Sequence, residues 1–178
     1  MTDLEKLRYP VGRFARLTAP LDVSARTSCL DIVERAPERF RALATGRADR
    51  ELDTPYRPGG WTVRQVLHHV PDSHLNAYVR MKLAVTEESP AVKTYDEARW
   101  AELHEAKTAP VDVSLALLEA LHRRWVLFMR GLSDADFRRP VMHPEWHRIE
   151  VAELLALYSW HCRHHEAHVR IGLGEPAA

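Results

Sequence analysis

The 178-residue sequence predicts an all-α fold, a four-helix bundle with an extended N-terminal arm and a long crossover connecting two of its helices. Three observations carry that expectation. Four segments repeat apolar residues at three- and four-residue spacing, strand-like alternation is nowhere sustained, and stretches bearing proline and glycine separate the four segments.

Residues 1–20 contain Pro10, Gly12 and Pro20 without a sustained period and read as an arm laid over the domain. A first helix is expected over about Ser24 to Ala44, where Leu30, Ile32, Val33, Phe40 and Leu43 recur at helical spacing; Pro37 should kink or divide it. The prolines and paired glycines of Leu52–Gly60 demand a loop with defined turns. Trp61-Thr62 opens a second helical stretch to about Glu88, with Val63, Val66, Leu67, Val70, Ala77, Tyr78, Met81 and Val85 on one stripe. Pro71 removes a backbone donor within it, which predicts a kink near His68 and His69 or a restart through Asp72 and Ser73. Residues 89–111 form the crossover, with room for one short helix. Val113, Leu117, Leu118, Leu121, Trp125, Phe128, Met129 and Leu132 mark a third helix ending near Gly131, after which Ser133 restarts the chain. Residues 139–148, with Pro140 and Pro144, read as irregular, and a fourth helix runs from Glu150 to Gly172 or Gly174. With no internal repeat or linker, residues 1–178 are expected to form a single domain.

Charge narrows the function. Lys plus Arg and Asp plus Glu number 25 each, with no basic run, so the footprint of a nucleic-acid binder is missing. No apolar run approaches the length needed to cross a bilayer. Cys29 and Cys162 have no metal-knuckle or redox spacing, and the first residues lack the basic and apolar parts of a signal peptide, so a cytoplasmic location is expected.

Histidine is the informative residue. Of eleven, four fall in Trp160-His161-Cys162-Arg163-His164-His165-Glu166-Ala167-His168, and His68-His69 forms a second group. Residues four apart share a helix face, so His161/His165 or His164/His168 can converge on one metal ion. On a helical wheel, His165 falls near the centre of the stripe made by Val151, Leu154, Leu155, Tyr158, Cys162 and Val169, and His161 toward its edge. His164 and His168 point further round, toward an outer shell or solvent. The pair His161/His165 is therefore expected to face the bundle interior. A third ligand must come from another helix, and spacing alone does not choose among His68, His69, His74 and His122. His74 and His122 read more simply as hydrogen-bonded core histidines, and Cys162 as a small packing residue. Competing motifs fail on spacing: Glu166 follows His165 but the next histidine is His168, unlike the zinc-protease pattern, and only Glu119-Ala-Leu-His122 fits the Glu-x-x-His of a di-iron bundle. No nucleophile elbow or phosphate-cradling glycine loop is present.

The strings Tyr9-Pro-Val-Gly-Arg-Phe14, Leu52-Asp-Thr-Pro-Tyr-Arg-Pro-Gly-Gly-Trp-Thr-Val-Arg-Gln-Val-Leu-His-His69, Asp72-Ser-His-Leu-Asn-Ala-Tyr78 and Trp160-His-x-x-His-His-x-Ala-His168 resemble the YfiT branch of the DinB-like superfamily across nearly the whole chain. Its most specific part, Trp-Thr-Val-Arg-Gln with histidine eight residues after Trp61, matches His69 to the family's ligand on the second helix, and the C-terminal string matches His161 and His165 to the other two. Pro71, where alanine is more usual, and Ala167-His168-Val169, in place of Gly-Gln-Ile, depart from the wider pattern. The resemblance implies a homodimeric four-helix bundle holding one divalent ion, nickel or zinc, through three histidines and open water positions. It implies a metal-dependent hydrolase of a small molecule with water on the ion as nucleophile.

Three neutral imidazoles leave coordination positions free, as in catalytic rather than structural sites. Asp72, Glu166 and Asp96 are candidate proton acceptors or orienting groups, and the Tyr95–Trp100 connection is placed to wall a pocket. Two alternatives use the same residues. One is a transferase that activates a low-molecular-weight thiol on the ion; the other is a bundle that binds metal or a partner and catalyses nothing.

Overall fold

The computed structural model describes residues 2–177. In chain order its elements are α1 (Asp3–Arg8), α2 (Val23–Ala44), α3 (Asp49–Leu52), α4 (Val63–Thr86), α5 (Glu97–Ala101), α6 (His104–Thr108), α7 (Val111–Arg130), α8 (Asp134–Phe137), β1 (Pro140–His143), β2 (His147–Glu150) and α9 (Val151–Gly172). The long helices α2, α4, α7 and α9 are the four-helix bundle. Helices α2 and α4 each pack against both α7 and α9. Since α2 and α4 follow one another in sequence but pack through the other two helices, the segment joining them must cross the bundle. No helix among the described residues is long and apolar enough to cross a membrane.

Local sequence starts the helices. Asp22 caps α2 by accepting from the Ala25 N–H at 2.7 Å. Thr62 and Gln65 form a reciprocal capping box at the head of α4, which satisfies two of the donors left free there. Burial completes them. Val33, Phe40, Val63, Val66, Leu118, Trp125, Met129, Leu154 and Leu155 join one core. On α7 the buried stripe is Leu115, Leu118, Leu121, His122, Trp125, Val126 and Met129, while Val113 and Leu117 are 64% and 45% exposed. The seam is therefore rotated from the expected one, because Leu and Val are frequent on both flanks of this helix and spacing alone cannot rank them.

Four expectations are corrected. The arm is not wholly extended: Thr2 caps a short helix, α1, through the Glu5 N–H. Neither Pro37 nor Pro71 divides its helix, since α2 and α4 each run unbroken through their buried proline. Residues 139–148 are not irregular but a hairpin, with Val141 opposite Ile149 and His143 opposite His147. His147 takes φ 58°, the left-handed conformation that closes such short turns, and the Glu145 and Trp146 N–H groups donate to His143 Nδ1 at 3.3 Å. Finally, the crossover holds two short helices, α5 and α6, rather than one.

The arm and hairpin cover one side of α9. The Arg16 guanidinium donates to both Glu153 carboxylate oxygens, at 2.6 and 2.8 Å, and to the Trp146 and Arg148 carbonyls. Phe14 stacks on Trp146, and the Trp160 indole N–H donates to the Gly12 carbonyl at 3.0 Å. At the other end, α9 approaches the start of α4 closely through Gly172, where an added Cβ would lie 2.5 Å from Val63 Cγ2 and 3.4 Å from the Thr54 carbonyl oxygen. Because Val63 is fully buried, Gly172→Val is expected to cost about 1–3 kcal/mol by overpacking, read as a lowered denaturant midpoint. An unchanged midpoint would show that the helix ends can move apart freely.

Candidate metal centre

Helix α4 carries His69 and α9 carries His161 and His165 on the faces where the two helices pack. One potential ligand atom from each of these three side chains lies within 4.8 Å of the others. The rings are close and steeply inclined: His69 to His165 at 4.8 Å between centroids, His69 to His161 at 5.4 Å and His161 to His165 at 4.3 Å. The sequence spacing had already paired His161 with His165, and α4 brings His69, rather than His68, to them. His68 instead faces the start of α7, with Nδ1 2.7 Å from Ser114 Oγ and Nε2 accepted by the Ala109 carbonyl at 3.2 Å. Adjacent residues on a helix diverge by about 100°, so only one of the pair can face α9.

Burial keeps these rings neutral. Loss of solvent pushes His69 down to about 4, with His168 nearby adding to the shift, and pushes His161 and His165 well below the ordinary imidazole value. A neutral imidazole offers a lone pair, which is what a metal ion requires. Nitrogen ligands about 2.0–2.1 Å from a common ion lie roughly 3–4 Å apart, so small ring rotations bring this group to ligating distance. The donor set therefore fits a divalent transition-metal cation.

Of the two places the wheel left open to His164 and His168, an outer shell or solvent, they take the first. Both are buried: Tyr9 and Trp160 flank His164, and Tyr56 stacks on His168 at 3.9 Å between centroids. Burial lowers them to about 3 and about 4 respectively. Their cover comes from the arm and the Leu52–Gly60 loop, which a wheel drawn for one helix cannot contain. His168 Nδ1 approaches His165 Nδ1 at 3.4 Å, which leaves Nε2 as the atom His165 can turn to an ion.

A cavity of about 390 Å³ opens over the three imidazoles. Its walls include Trp61, Tyr95, Trp146, Tyr158 and Trp160, with Arg80, Glu97, His143 and Glu145 toward the opening. Tyr95 thus serves as the wall expected of its connection, although Trp100 lies in a separate depression. The expected acidic helpers are elsewhere. Asp96 caps α5 through the Arg99 N–H, and Glu166 is paired with Arg39 and Arg170. Asp72 does not line the cavity; burial, then Glu105, raises its carboxyl to about 6. Hairpin residues His143, Glu145 and Trp146 were missed as pocket residues because the hairpin itself was missed. Ser73, whose Oγ lies 3.4 Å from His161 Nε2, carried no signal beyond its place beside His74.

Residues 32–169 match the model of the DinB superfamily. The chain belongs to that superfamily. A Bacillus licheniformis protein named provisionally as a metal-dependent hydrolase is 43% identical over 170 residues, 94% of this chain and 95% of that protein. A Bacillus cereus protein with the same provisional name is 45% identical over 166 residues, 93% and 95% of the two chains. Among solved structures, YfiT from Bacillus subtilis, described as a probable metal-dependent hydrolase with an unusual four-helix bundle topology, superposes with TM-score 0.89 at 43% identity, over 92% of this chain and 94% of that one. A mycothiol-dependent maleylpyruvate isomerase shares the fold at 19% identity and TM-score 0.65, over 81% and 60% of the two chains.

The buried rings also make stability depend on pH. In the unfolded chain an imidazole takes up its proton near pH 6.5, whereas in the folded, metal-free protein His69 does so only near 4. Between those values the unfolded state binds more protons, so stability is complete above about pH 6.5 and is lost as pH falls toward 4. Denaturant titrations of metal-stripped protein at pH 7, 6 and 5 are expected to show a steadily falling midpoint. A constant midpoint over that range would mean these rings are solvated.

Proposed function

We propose that this protein is a metal-dependent hydrolase of a small molecule, with His69, His161 and His165 holding one divalent ion, zinc or nickel. The observation that carries the reading is the convergence of three neutral imidazoles, His69 and His165 buried and His161 half-buried, on the floor of an aromatic-walled cavity. Three such ligands leave positions open, and a divalent ion there would supply Lewis acidity and water activated near neutral pH.

The chain's own groups contribute orientation, shielding and proton donors. Two ligands come from one helix and the third from the helix packed against it, so their relative placement is set by the core rather than by loops. Trp61 packs against His69 at 4.7 Å between centroids and screens it from water. Burial pushes the Tyr95 hydroxyl up, so that it stays a neutral O–H donor at the cavity wall, suited to an oxygen that gains negative charge. The Tyr158 hydroxyl is engaged in donating to the Ser73 carbonyl at 3.2 Å and serves instead to hold the floor. Glu97 and Glu145 stand exposed at the opening, where each can exchange protons with solvent.

Elemental analysis of protein purified without chelator or nickel resin is expected to find about one divalent ion per chain. His69→Ala, His161→Ala and His165→Ala should each lose it while keeping the helical circular dichroism spectrum. The loaded protein should cleave members of an ester and amide panel, and lose that activity reversibly on metal removal. Consumption of a low-molecular-weight thiol with an electrophile, without hydrolysis, would assign a transferase instead. Retained ion with no turnover on either panel would leave a metal-binding bundle and overturn the hydrolase reading.

A further inference from the structure

Pro37 has no N–H, so the carbonyl four residues earlier, that of Val33, is left without its helical donor. That carbonyl is buried, yet it is not orphaned. His122, from α7, places Nδ1 2.6 Å from it. A carbonyl oxygen only accepts, so His122 Nδ1 carries the hydrogen and, in the neutral ring, Nε2 carries the lone pair. His122 Nε2 lies 2.6 Å from His74 Nδ1, which must therefore donate. His74 Nε2 then holds a lone pair and accepts from His161 Nδ1 at 2.9 Å. His161 is left with an unprotonated Nε2.

The direction of every bond in this chain follows from its far end. In the reverse arrangement the Nδ1 lone pair of His122 would face the carbonyl oxygen of Val33 across 2.6 Å, two acceptors in van der Waals overlap. His74 and His122 are almost fully buried, so water does not offer either ring an alternative partner. Within the chain the residues alternate between donor and acceptor across four helices, from α2 through α7 and α4 to α9.

We propose that Pro37, His122 and His74 are positioning residues for the metal centre: the carbonyl released at Pro37 sets the tautomer of three successive imidazoles and presents His161 with its Nε2 lone pair toward His69 and His165. The inference rests on the reading of those three as ligands. It adds that one ligand is prepared before any ion arrives, and that its second nitrogen is tied, through two further rings, to the backbone of α2. Such outer partners fix ring orientation and raise ligand basicity, and their removal typically costs about 10–100-fold in metal affinity.

The test uses full-length, metal-stripped protein. Nitrogen-15 NMR of its histidines is expected to show His161 protonated at Nδ1 and unprotonated at Nε2. Zinc and nickel affinities are then measured by competition with a chromophoric chelator. His122→Phe, which keeps a buried ring but neither donates nor accepts, should weaken binding of both ions by about 10–100-fold and return His161 to a mixture of tautomers. His122→Gln, whose amide again offers one donor and one acceptor, should stay within a few-fold of wild type. A His161 protonated at Nε2 in the wild type overturns the proposal, and so do equal affinities for the Phe and Gln variants. If His122→Phe does not fold, the wild-type tautomer and the Gln variant still decide it. The two readings fail differently: a wild type with the expected tautomer but no affinity for either ion sinks the metal site, whereas loss of ion in His69→Ala with none in His122→Phe sinks only the relay.

Discussion

Charge cannot be carried by the imidazoles at the centre of this bundle, and much of the structure answers to that constraint. His69, His74, His122, His164, His165 and His168 are buried and His161 is half-buried, and desolvation is the first cause of the lowered proton affinity of each. A neutral imidazole still has one N–H and one lone pair to satisfy, and an unpaired polar atom in the interior is costly. The bundle meets the demand in three ways. Some rings bond to each other, one bonds to the backbone, and three bring ring nitrogens within 4.8 Å of one another. Where the first two means fall short, as at His164 Nδ1 and His168 Nε2, neither atom has a well-aligned partner, and both rings are covered instead by aromatic faces from the arm and the Leu52–Gly60 loop.

Proline takes on a different meaning within such a core. In isolation Pro37 and Pro71 read as helix breakers, because a missing N–H leaves a carbonyl to be solvated or bent outward. Inside a packed bundle the freed carbonyl at Val33 is instead an acceptor available to a neighbouring helix, and His122 takes it. The helix continues because packing on both sides costs more to disrupt than one hydrogen bond costs to replace. The sequence contains Pro37 and His122, but nothing in their spacing announces that the two are in register across α2 and α7.

What could be seen in advance follows the same logic. The four long helices were legible because each buries a stripe with a 3.6-residue repeat, and His161 with His165 because both lie on the stripe of α9. His69 could not be separated from His68 by spacing, since that choice depends on the rotation of α4 about its axis; resemblance to a family chose it. The hairpin escaped because four-residue strands holding one buried residue each, Val141 and Ile149, leave no alternation long enough to read. The wheel left His164 and His168 between an outer shell and solvent for a related reason. Part of their cover, Tyr9 and Tyr56, comes from residues more than a hundred positions away in the chain, and a helical wheel has no record of them.

The division of labour around the cavity has a consequence for how such a site can vary. On the proposed reading the ligands stand on two packed helices and, through His74 and His122, lean on the other two, so an ion held there would have surroundings as rigid as the core. Its walls come in part from the connections: Thr94, Tyr95 and Glu97 from the crossover, and His143, Glu145 and Trp146 from the hairpin. Connections tolerate replacement far better than core helices do. A bundle built this way can keep one metal chemistry while exchanging the groups that meet the substrate, so a shared fold fixes where reaction takes place and leaves open which molecule reacts. On the proposed hydrolase reading, a substrate is therefore to be sought in the shape and charge of the crossover and the hairpin, and the reaction in the imidazoles beneath them.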